Sequence, residues 1–512
     1  MTGFGTGLRV GLVCPYSVDR PGGVQNHVLG LAAALRDLGH RPAVLAPGDL
    51  GPADEWFTSA GPALPVPYNG SIARVSFGPL TAARVRRWLR QGDFDLVHLH
   101  EPITPSIALQ ALRYAAVPVV ATYHTATPRS RTMQFAGDAL RRLIEKVDAG
   151  IAVSESARDV VVRHLGRDPV VIPNGFDNAW FRSGRTASLP VSSSASAPAP
   201  GQWRGGERPR LTFLGRLDEP RKGLAVLLDA LPAIRAAVGE IEVCLAGYGD
   251  APARPSALRG VRVLGGIDDR HKRELLAGTD VFVAPQVARE SFGIVLLEAL
   301  AAGAEVVASD LSAFVELLHR PGDVPAGQLF RRGDPGALAA AVTRVLREGD
   351  RRQPTAADHA ARYDWSEVAP RIAGIYAAAM HPVPGRRDPD GPVGPAERVR
   401  RTWTLLDEAL VERARRVVEL AGAQPGDPHR LRVHQAAVDA LAAAGEGVTQ
   451  RQRERLESDL SRLLVRAEPA VFRAEHERAT LARRLHNDAV AAAVRSRRSG
   501  DPAIRAFEMA ES

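Results

Sequence analysis

The sequence predicts two α/β units, each a parallel sheet covered by helices on both faces, followed by a smaller all-α unit. Three observations predict it. Short β-branched runs alternate with helical patterns in two separate stretches of the 512 residues, the signature of parallel sheets. An uncharged Ser/Ala/Pro stretch at 188–203 (SLPVSSSASAPAPGQW) parts the two stretches and reads as a linker. Beyond 381–395 (HPVPGRRDPDGPVGP) the strand signal stops, and Ala, Leu, Arg and Glu recur at helical spacing.

In order, residues 8–15 (LRVGLVCP) form the first strand, Gly22-Gly23 the turn, and 24–38 a helix that Gly39 stops. Further strands are expected at 43–46, 95–100 (DLVHLH), 117–123 (VPVVATY) and 150–153. The alternation restarts with strands at 210–214, 242–246, 261–264, 281–284 and 305–308. Helical segments at 400–420, 432–444, 452–467 and 472–495 suggest an antiparallel bundle. The expected division is a first domain over 1–187, a linker over 188–208 and a second domain over 209–364. A helix over 365–380 returns to the first domain, and a linker over 381–396 leads to the helical domain over 397–512. Two α/β domains joined by a linker leave a cleft, and open parallel sheets bind ligands beyond the C-terminal ends of their strands.

Composition narrows the function classes. With 45% hydrophobic and 24% charged residues the chain is neither disordered nor fibrous. No apolar run approaches the roughly 18 residues a membrane span needs, and residues 1–7 lack the basic and apolar regions of a secretory signal; the chain is expected in the cytoplasm. Cys14 and Cys244 are too few for a disulfide framework and lie in apolar strands. The net charge of +8 is carried by arginine, since the only lysines are Lys146, Lys222 and Lys272. Without zinc-ligand spacing, RNA-binding aromatics or a lysine-rich tail, nucleic acid is disfavoured. An anionic membrane surface or a phosphorylated substrate accounts for the charge equally well.

The sharpest motif is Glu290-Ser291-Phe292-Gly293-Ile294-Val295-Leu296-Leu297-Glu298, which follows an apolar strand and opens a helix. One carboxylate faces the helix N-terminus, the other lies about two turns further in, and Gly293 lets the backbone approach hydroxyl or phosphate oxygens. Taken alone, a capped surface helix explains it as well. A second motif, 213–223 (FLGRLDEPRKG), sits after the first strand of the second unit. Arg216 supplies forked contacts to phosphate and Lys222 a point charge at a helix entrance. In the first unit, Tyr16 and Pro21-Gly22-Gly23 lie at a matching strand-to-helix turn. This is not the dinucleotide fingerprint G-x-G-x-x-G, so NAD and FAD are disfavoured.

These residues, with His124 in ATYHT, resemble the retaining GT-B glycosyltransferases that use nucleotide-sugar donors, built of two Rossmann-like domains with a cleft between them. The stretches VCPYSVDRPGGVQNHV, PVPYNGSIARVSFGP, GDFDLVHLHEP, FLGRLDEPRKG, ESFGIVLLEALAAG and YDWSEV are similar to the phosphatidyl-myo-inositol mannosyltransferases within that class, over about 8–379. The resemblance implies transfer of mannose from GDP-mannose to the inositol 2-position of phosphatidylinositol, the first step of phosphatidylinositol mannoside synthesis. It implies no required cofactor, with a divalent metal at most stimulatory. It places the pyrophosphate on Arg216, Arg221 and Lys222 with help from Gly23, and the sugar hydroxyls on Glu290 and the amides of Ser291, Phe292, Gly293 and Ile294. It places the ribose on Glu298, the guanine near Ile267, Asp268, Asp269 and Lys272, and His124 beside the transferring mannose. Tyr16, Arg20, Arg74 and Thr125 line the acceptor side. A relative with another donor or an inositol-phosphate acceptor, and an inactive GT-B scaffold, are the alternatives.

The segment 80–90 (LTAARVRRWLR) carries Arg84, Arg86, Arg87 and Arg90 on a helix with Val85, Trp88 and Leu89. A basic amphipathic helix with a tryptophan suits an anionic interface, and the resemblance places the family's membrane-binding cluster here, on the inner face of the cell membrane. Asp93-Phe94-Asp95 matches the metal–nucleotide motif D-x-D but opens a buried strand and reads as structural; no metal is implied. His98 and His100 share one strand face without a third ligand and read as satisfied core residues. Gln286-Val287-Ala288-Arg289 stand where the family has glycines, a departure that bears on the sugar pocket. Finally, 481–490 (LARRLHNDAV) resembles the closing motif of LemA-type helical proteins. It suggests a scaffold that keeps the enzyme near the membrane or binds a protein partner.

Overall fold

A computed structural model describes residues 7–20, 22–49, 56–68, 71–125, 143–188, 208–250, 260–288, 290–319, 324–348, 353–380 and 395–422, together with 433, 435–440, 460 and 479–490. The linkers at 189–207 and 381–394, the segment 452–459 with 461–467, and Arg289 lie outside the described residues.

The first domain contains β1 (Arg9–Val13), β2 (Arg41–Ala46), β3 (Phe57–Ser59), the antiparallel hairpin β4 (Leu64–Tyr68) and β5 (Ser71–Val75), then β6 (Leu96–His100), β7 (Val119–Tyr123), β8 (Ala149–Ala152) and β9 (Val170–Val171). Apart from the hairpin they form one parallel sheet in the order β3-β2-β1-β6-β7-β8-β9. The second domain contains β10 (Arg210–Leu214), β11 (Glu242–Ala246), β12 (Val261–Gly265), β13 (Val281–Ala284), β14 (Glu305–Ser309) and β15 (Gln328–Phe330), all parallel in the order β12-β11-β10-β13-β14-β15. The central strands are buried on both faces, so several read as unbroken apolar runs, such as AGIA and VFVA, rather than as alternating patterns.

In each sheet the strand order reverses beside the first strand, between β1 and β6 and between β10 and β13. Loops leaving the C-terminal ends of such neighbours diverge and leave a crevice. Both candidate ligand motifs occupy those loops.

Three features lock the domains to each other. The helix Asn178–Ser188, counted with the first domain on sequence, packs against the second-domain helices Asp269–Ala277 and Ile294–Ala301. The helix Trp365–Met380 packs in the opposite sense, onto the helix Gly23–Asp37 and the β7–β8 face, with Trp365 wedged between Gly30 and Gly175. Ala152, Val153 and Ala157 of the first domain share a core with Phe292, Leu296 and Phe314 of the second.

The helical tail is no independent appendage. Ala414, Val417, Val433, Ala437, Ala440 and Leu460 form a small core of its own, while another part packs on the first domain: Leu485 belongs to the core under the helix Gly23–Asp37, with Leu405 and Leu481 against it. Asp488 bonds Arg167 through both carboxylate oxygens, at 3.0 and 2.7 Å, and accepts from the Asp168 amide at 2.6 Å. Arg401 reaches the Ala379 carbonyl at 2.8 Å and Asp148 at 3.4 Å. Three residues of the LemA-like motif, Leu481, Leu485 and Asp488, are therefore spent on an internal contact.

The basic helix also needs correcting. Helix Pro79–Gln91 turns Thr81, Val85 and Trp88 inward, and Trp88 packs against Phe94 with the rings tilted by 47° and their centroids 4.4 Å apart. Trp88, expected on a membrane, is core. Arg84, Arg86, Arg87 and Arg90 are exposed; Arg84 bonds the Ala60 carbonyl at 3.2 Å, and Arg86 lies over the Tyr114 ring at 4.1 Å. The exposed apolar side chains of this region are instead Leu64 and Ile72 on the hairpin, and Phe77 and Leu80 at the helix start.

With both side chains only 5% and 3% exposed, the Arg167–Asp488 pair leaves an unmatched buried charge if one partner is removed. Asp488→Ala is expected to lower stability by about 3 kcal/mol, read as a shifted midpoint in chemical denaturation; replacing both partners with Met and Leu should cost less.

Candidate functional site

The site grows out of the two switch-point loops of the second domain. After β10 the chain runs through Gly215 and Arg216 to a 3-10 turn, Pro220–Lys222, and then through Gly223 into the helix Leu224–Val238. After β13 it runs from Pro285 to the helix Ile294–Ala301. The loops touch: Gly223, at φ 75°, lies so close to the Pro285 carbonyl that a Cβ there collides with it, and the Val287 amide donates to the Arg221 carbonyl at 2.9 Å. Only glycine combines that left-handed backbone with that approach.

The seam holds the charges. Lys222 Nζ donates to Glu290 Oε2 at 2.9 Å, and Arg221 stands 3.9 Å from the same oxygen. Arg221 is forked onto the buried Glu219 at 2.7 and 3.2 Å, which fixes its plane. Arg216 lies on Asp218 at 2.7 and 3.2 Å and remains 38% exposed. Past Glu290, no side chain caps the helix Ile294–Ala301; the Leu296 amide donates to the Gly293 carbonyl at 2.9 Å, and the turn ahead of it is open to another acceptor. Gly293, at φ 96°, turns the chain into it, and the buried Phe292 anchors the turn edge-on to Tyr363.

A second pair lies deeper. Glu298 is buried, and its Oε1 accepts from Lys272 Nζ at 2.8 Å, while its Oε2 has no protein partner. Burial opposes the Lys272 charge, but Glu298 and Asp269 more than offset it and hold the ammonium above its usual range. Asp268 caps the helix Asp269–Ala277, accepting from the His271 amide at 2.8 Å; Ile267 precedes it, half-buried.

The first domain brings its own residues to the same ends of its strands. His124 and Thr125 follow β7. Glu101, which sequence reasoning missed, follows β6 and organises them: its Oε1 accepts from the His124 amide at 2.6 Å and from Thr125 Oγ1 at 2.9 Å. Glu101 is buried with φ 50°, a conformation rarely held without cause outside glycine; burial pushes its carboxyl up. The signal in the sequence was an acid directly after a fully buried strand. Tyr16 bridges to Val75, and the Ser17 amide donates to the Arg74 carbonyl at 2.9 Å, so the loop after β1 is stitched to the hairpin. Gly23 begins the next helix, with open space where a Cβ would stand. Arg20, expected with Tyr16 on the acceptor side, reaches the other domain and lies 5.9 Å above the ring of Tyr248, another residue missed on sequence.

The structure thus joins Lys222, Arg221 and Glu290; Lys272, Asp269 and Glu298; and His124 with Thr125. Asp93-Phe94-Asp95 is structural: Asp95 accepts from the Arg9 amide at 2.7 Å and Phe94 is core. Both cysteines are buried and free, with the Cys14 thiol pushed up to about 12 by burial. His98 is satisfied by Tyr376 and Thr122 at 2.8 and 2.7 Å. His100 is not, since its Nε2 has no protein partner.

Two family models match the chain, Glycosyltransferase Family 4 over residues 21–180 and Glycosyl transferases group 1 over 208–348. A protein of Propionibacterium freudenreichii subsp. shermanii named phosphatidyl-myo-inositol mannosyltransferase is 46% identical over 381 residues, covering 73% of this chain and 95% of that one. One of the same name from Mycobacterium tuberculosis is 46% identical over 385 residues, covering 72% and 96%. Among solved structures, Anabaena Alr3699/HepE in complex with UDP-glucose superposes with a TM-score of 0.52 at 19% identity, covering 72% of this chain and 99% of that one. The pneumococcal O-GlcNAc transferase GtfA in complex with UDP and GlcNAc gives 0.53 at 12%, covering 73% and 99%. These likenesses establish the GT-B fold, and the chain is a glycosyltransferase.

Burial pushes His27 and His98 down to about 3, well below an unfolded imidazole near 6.5. A depressed histidine stabilises the fold above the unfolded value, and that contribution is lost as pH falls from about 6.5 toward 3, because the unfolded chain takes up the protons. Denaturant midpoints are expected to drop between pH 7 and pH 5, by about 2 kcal/mol per imidazole; an unchanged midpoint contradicts the buried, neutral assignment.

Proposed function

We propose that this chain, which belongs to the phosphatidyl-myo-inositol mannosyltransferase family, moves mannose from GDP-mannose to the inositol 2-position of phosphatidylinositol with retention at the sugar. The name shared by relatives of near-complete coverage supports the acceptor and the sugar. The observation that carries the chemistry is the convergence of Lys222 and Arg221 on Glu290 at the switch point of the second sheet.

When GDP departs, negative charge develops on its β-phosphate. Arg216, Lys222 and the uncapped helix start at Ile294 are fixed before the reaction, so little reorganisation is needed to meet that charge. Cationic side chains then do what a metal does in other transferases, and the reading needs none. Glu290 holds Lys222 with one oxygen and faces the sugar hydroxyls, Glu298 takes the ribose, and Ile267 to Asp269 flank the base. His124 stands beside the transferring mannose, held in place by Glu101. Tyr16, Arg20, Arg74 and Thr125 receive the inositol phosphate. The inositol hydroxyl attacks from the face the diphosphate leaves, and the acceptor phosphate assists its deprotonation.

Reaching a lipid calls for a surface that touches a bilayer. Among the described residues no helix is long and apolar enough to cross a membrane. Leu64 and Ile72 on the hairpin and Phe77 and Leu80 at the start of the arginine-bearing helix are exposed apolar side chains, and with the exposed arginines they suit peripheral binding at an anionic inner leaflet.

The direct test is mannosyl transfer from GDP-mannose to phosphatidylinositol vesicles, read by mass spectrometry of the lipid. Lys222→Met and Arg216→Ala are each expected to slow turnover by about 100-fold or more; full turnover in both excludes the assigned role. Arg87→Ser with Arg90→Ser should weaken sedimentation with anionic vesicles by roughly 10-fold or more while leaving neutral vesicles unaffected.

A further inference from the structure

Three imidazoles meet at the C-terminal edge of the first sheet, each from a different element: His27 in the helix Gly23–Asp37, His100 at the end of β6, and His124 just past β7. One ring nitrogen of each lies within 4.8 Å of the others. All three are buried, His27 and His100 at 2% and 0% exposed and His124, the least buried, at 7%.

The cluster is chemically incomplete. Both ring nitrogens of His27 and Nε2 of His100 have no protein partner, although buried polar atoms are seldom left unmatched. His100 Nδ1 and His124 Nε2 face each other at 3.0 Å, which a single shared proton satisfies. Two imidazoles bound tetrahedrally to zinc, with bonds of about 2.0–2.1 Å, place their nitrogens about 3.3 Å apart, so a cation that displaces the shared proton sits to one side of the line between them, and the His27 nitrogen, within 4.8 Å, closes onto it. The rings are backed by structure: His100 lies 4.4 Å from His98, itself pinned by Tyr376 and Thr122, and His27 lies 5.2 Å from Trp365. The buried Glu101, bonded to the His124 amide, supplies a carboxylate next to the cluster.

We propose that His27, His100 and His124 form a three-imidazole site for a borderline divalent cation such as zinc, with the fourth position on the His124 side, and that its occupation inhibits sugar transfer by withdrawing His124. Three nitrogen donors select zinc, cobalt or nickel over magnesium and calcium, which require oxygen. Burial depresses protonation of all three rings, leaving them as the neutral bases that metals bind. The inhibitory half rests on the role proposed for His124; the binding half does not.

The test uses the full chain, stripped with chelator and titrated with cobalt alone and then zinc alone. Expected are one bound equivalent, the strong visible absorption of low-coordinate cobalt, its displacement by zinc, and loss of mannosyl transfer at the same zinc equivalence. His27→Leu and His100→Gln should each weaken zinc binding on the order of 100-fold, with unfolding in the absence of metal checking that each variant is folded. No cobalt absorption by the wild-type chain, or affinity unchanged in a folded variant, overturns the site even if the other variant does not fold. Binding without loss of transfer overturns the inhibitory half, and absence of transfer in the stripped protein counts against the proposed function alone.

Discussion

Two glutamates on one short segment hold two of the three lysines of the chain. Glu290 takes Lys222 at 2.9 Å and Glu298 takes Lys272 at 2.8 Å. One pair ties a neighbouring loop to the connection after β13 and the other ties the helix Asp269–Ala277 to the helix Ile294–Ala301 that follows it. The Lys222 pair closes the seam between the two switch-point loops, whose contact is possible because residue 223 has no side chain to meet the Pro285 carbonyl. Partly buried ion pairs of this kind add little net stability; what they fix is position. A cation held by a carboxylate at the mouth of a crevice, beside an uncapped helix start, is arranged before any ligand arrives.

The remainder of the fold serves to bring a second set of groups to the same crevice. Ser154, which caps the helix Glu155–Leu165, donates to the Ser291 carbonyl at 2.8 Å, so the segment carrying Glu290 is bonded to the first domain directly. The helix Asn178–Ser188 crosses to the second domain and Trp365–Met380 crosses back. The two crossings oppose any independent drift of the domains, and the tail, through Asp488 and Arg401, is fastened to the first domain and to the helix Trp365–Met380 that lies on it.

Much of this was legible in the residues. The strands at 210–214, 242–246 and 281–284 stand where their apolar runs placed them. Strands β3, β9 and β15 escaped because two or three residues at a sheet edge carry no periodicity. The hairpin was legible but unread: Asn69-Gly70 between two short runs is a strong turn signal, obscured by Pro65 and Pro67 in the first run. Trp88 was misplaced for a more general reason. Spacing shows that a helix has an apolar face, not what that face is buried against, and here it meets Phe94 rather than lipid. The three-histidine cluster was beyond reach, since His27, His100 and His124 come from separate elements and only the sheet order brings them together.

The central claim is that the second domain is built around the β-phosphate of a nucleoside diphosphate. Calorimetric titration with GDP and GMP separates that claim from general nucleotide affinity. GDP is expected to bind more tightly by about 100-fold, the 2–3 kcal/mol of charge-assisted hydrogen bonds from fixed cationic groups, and Lys222→Met to erase most of the difference. Equal affinity for the two nucleotides contradicts it.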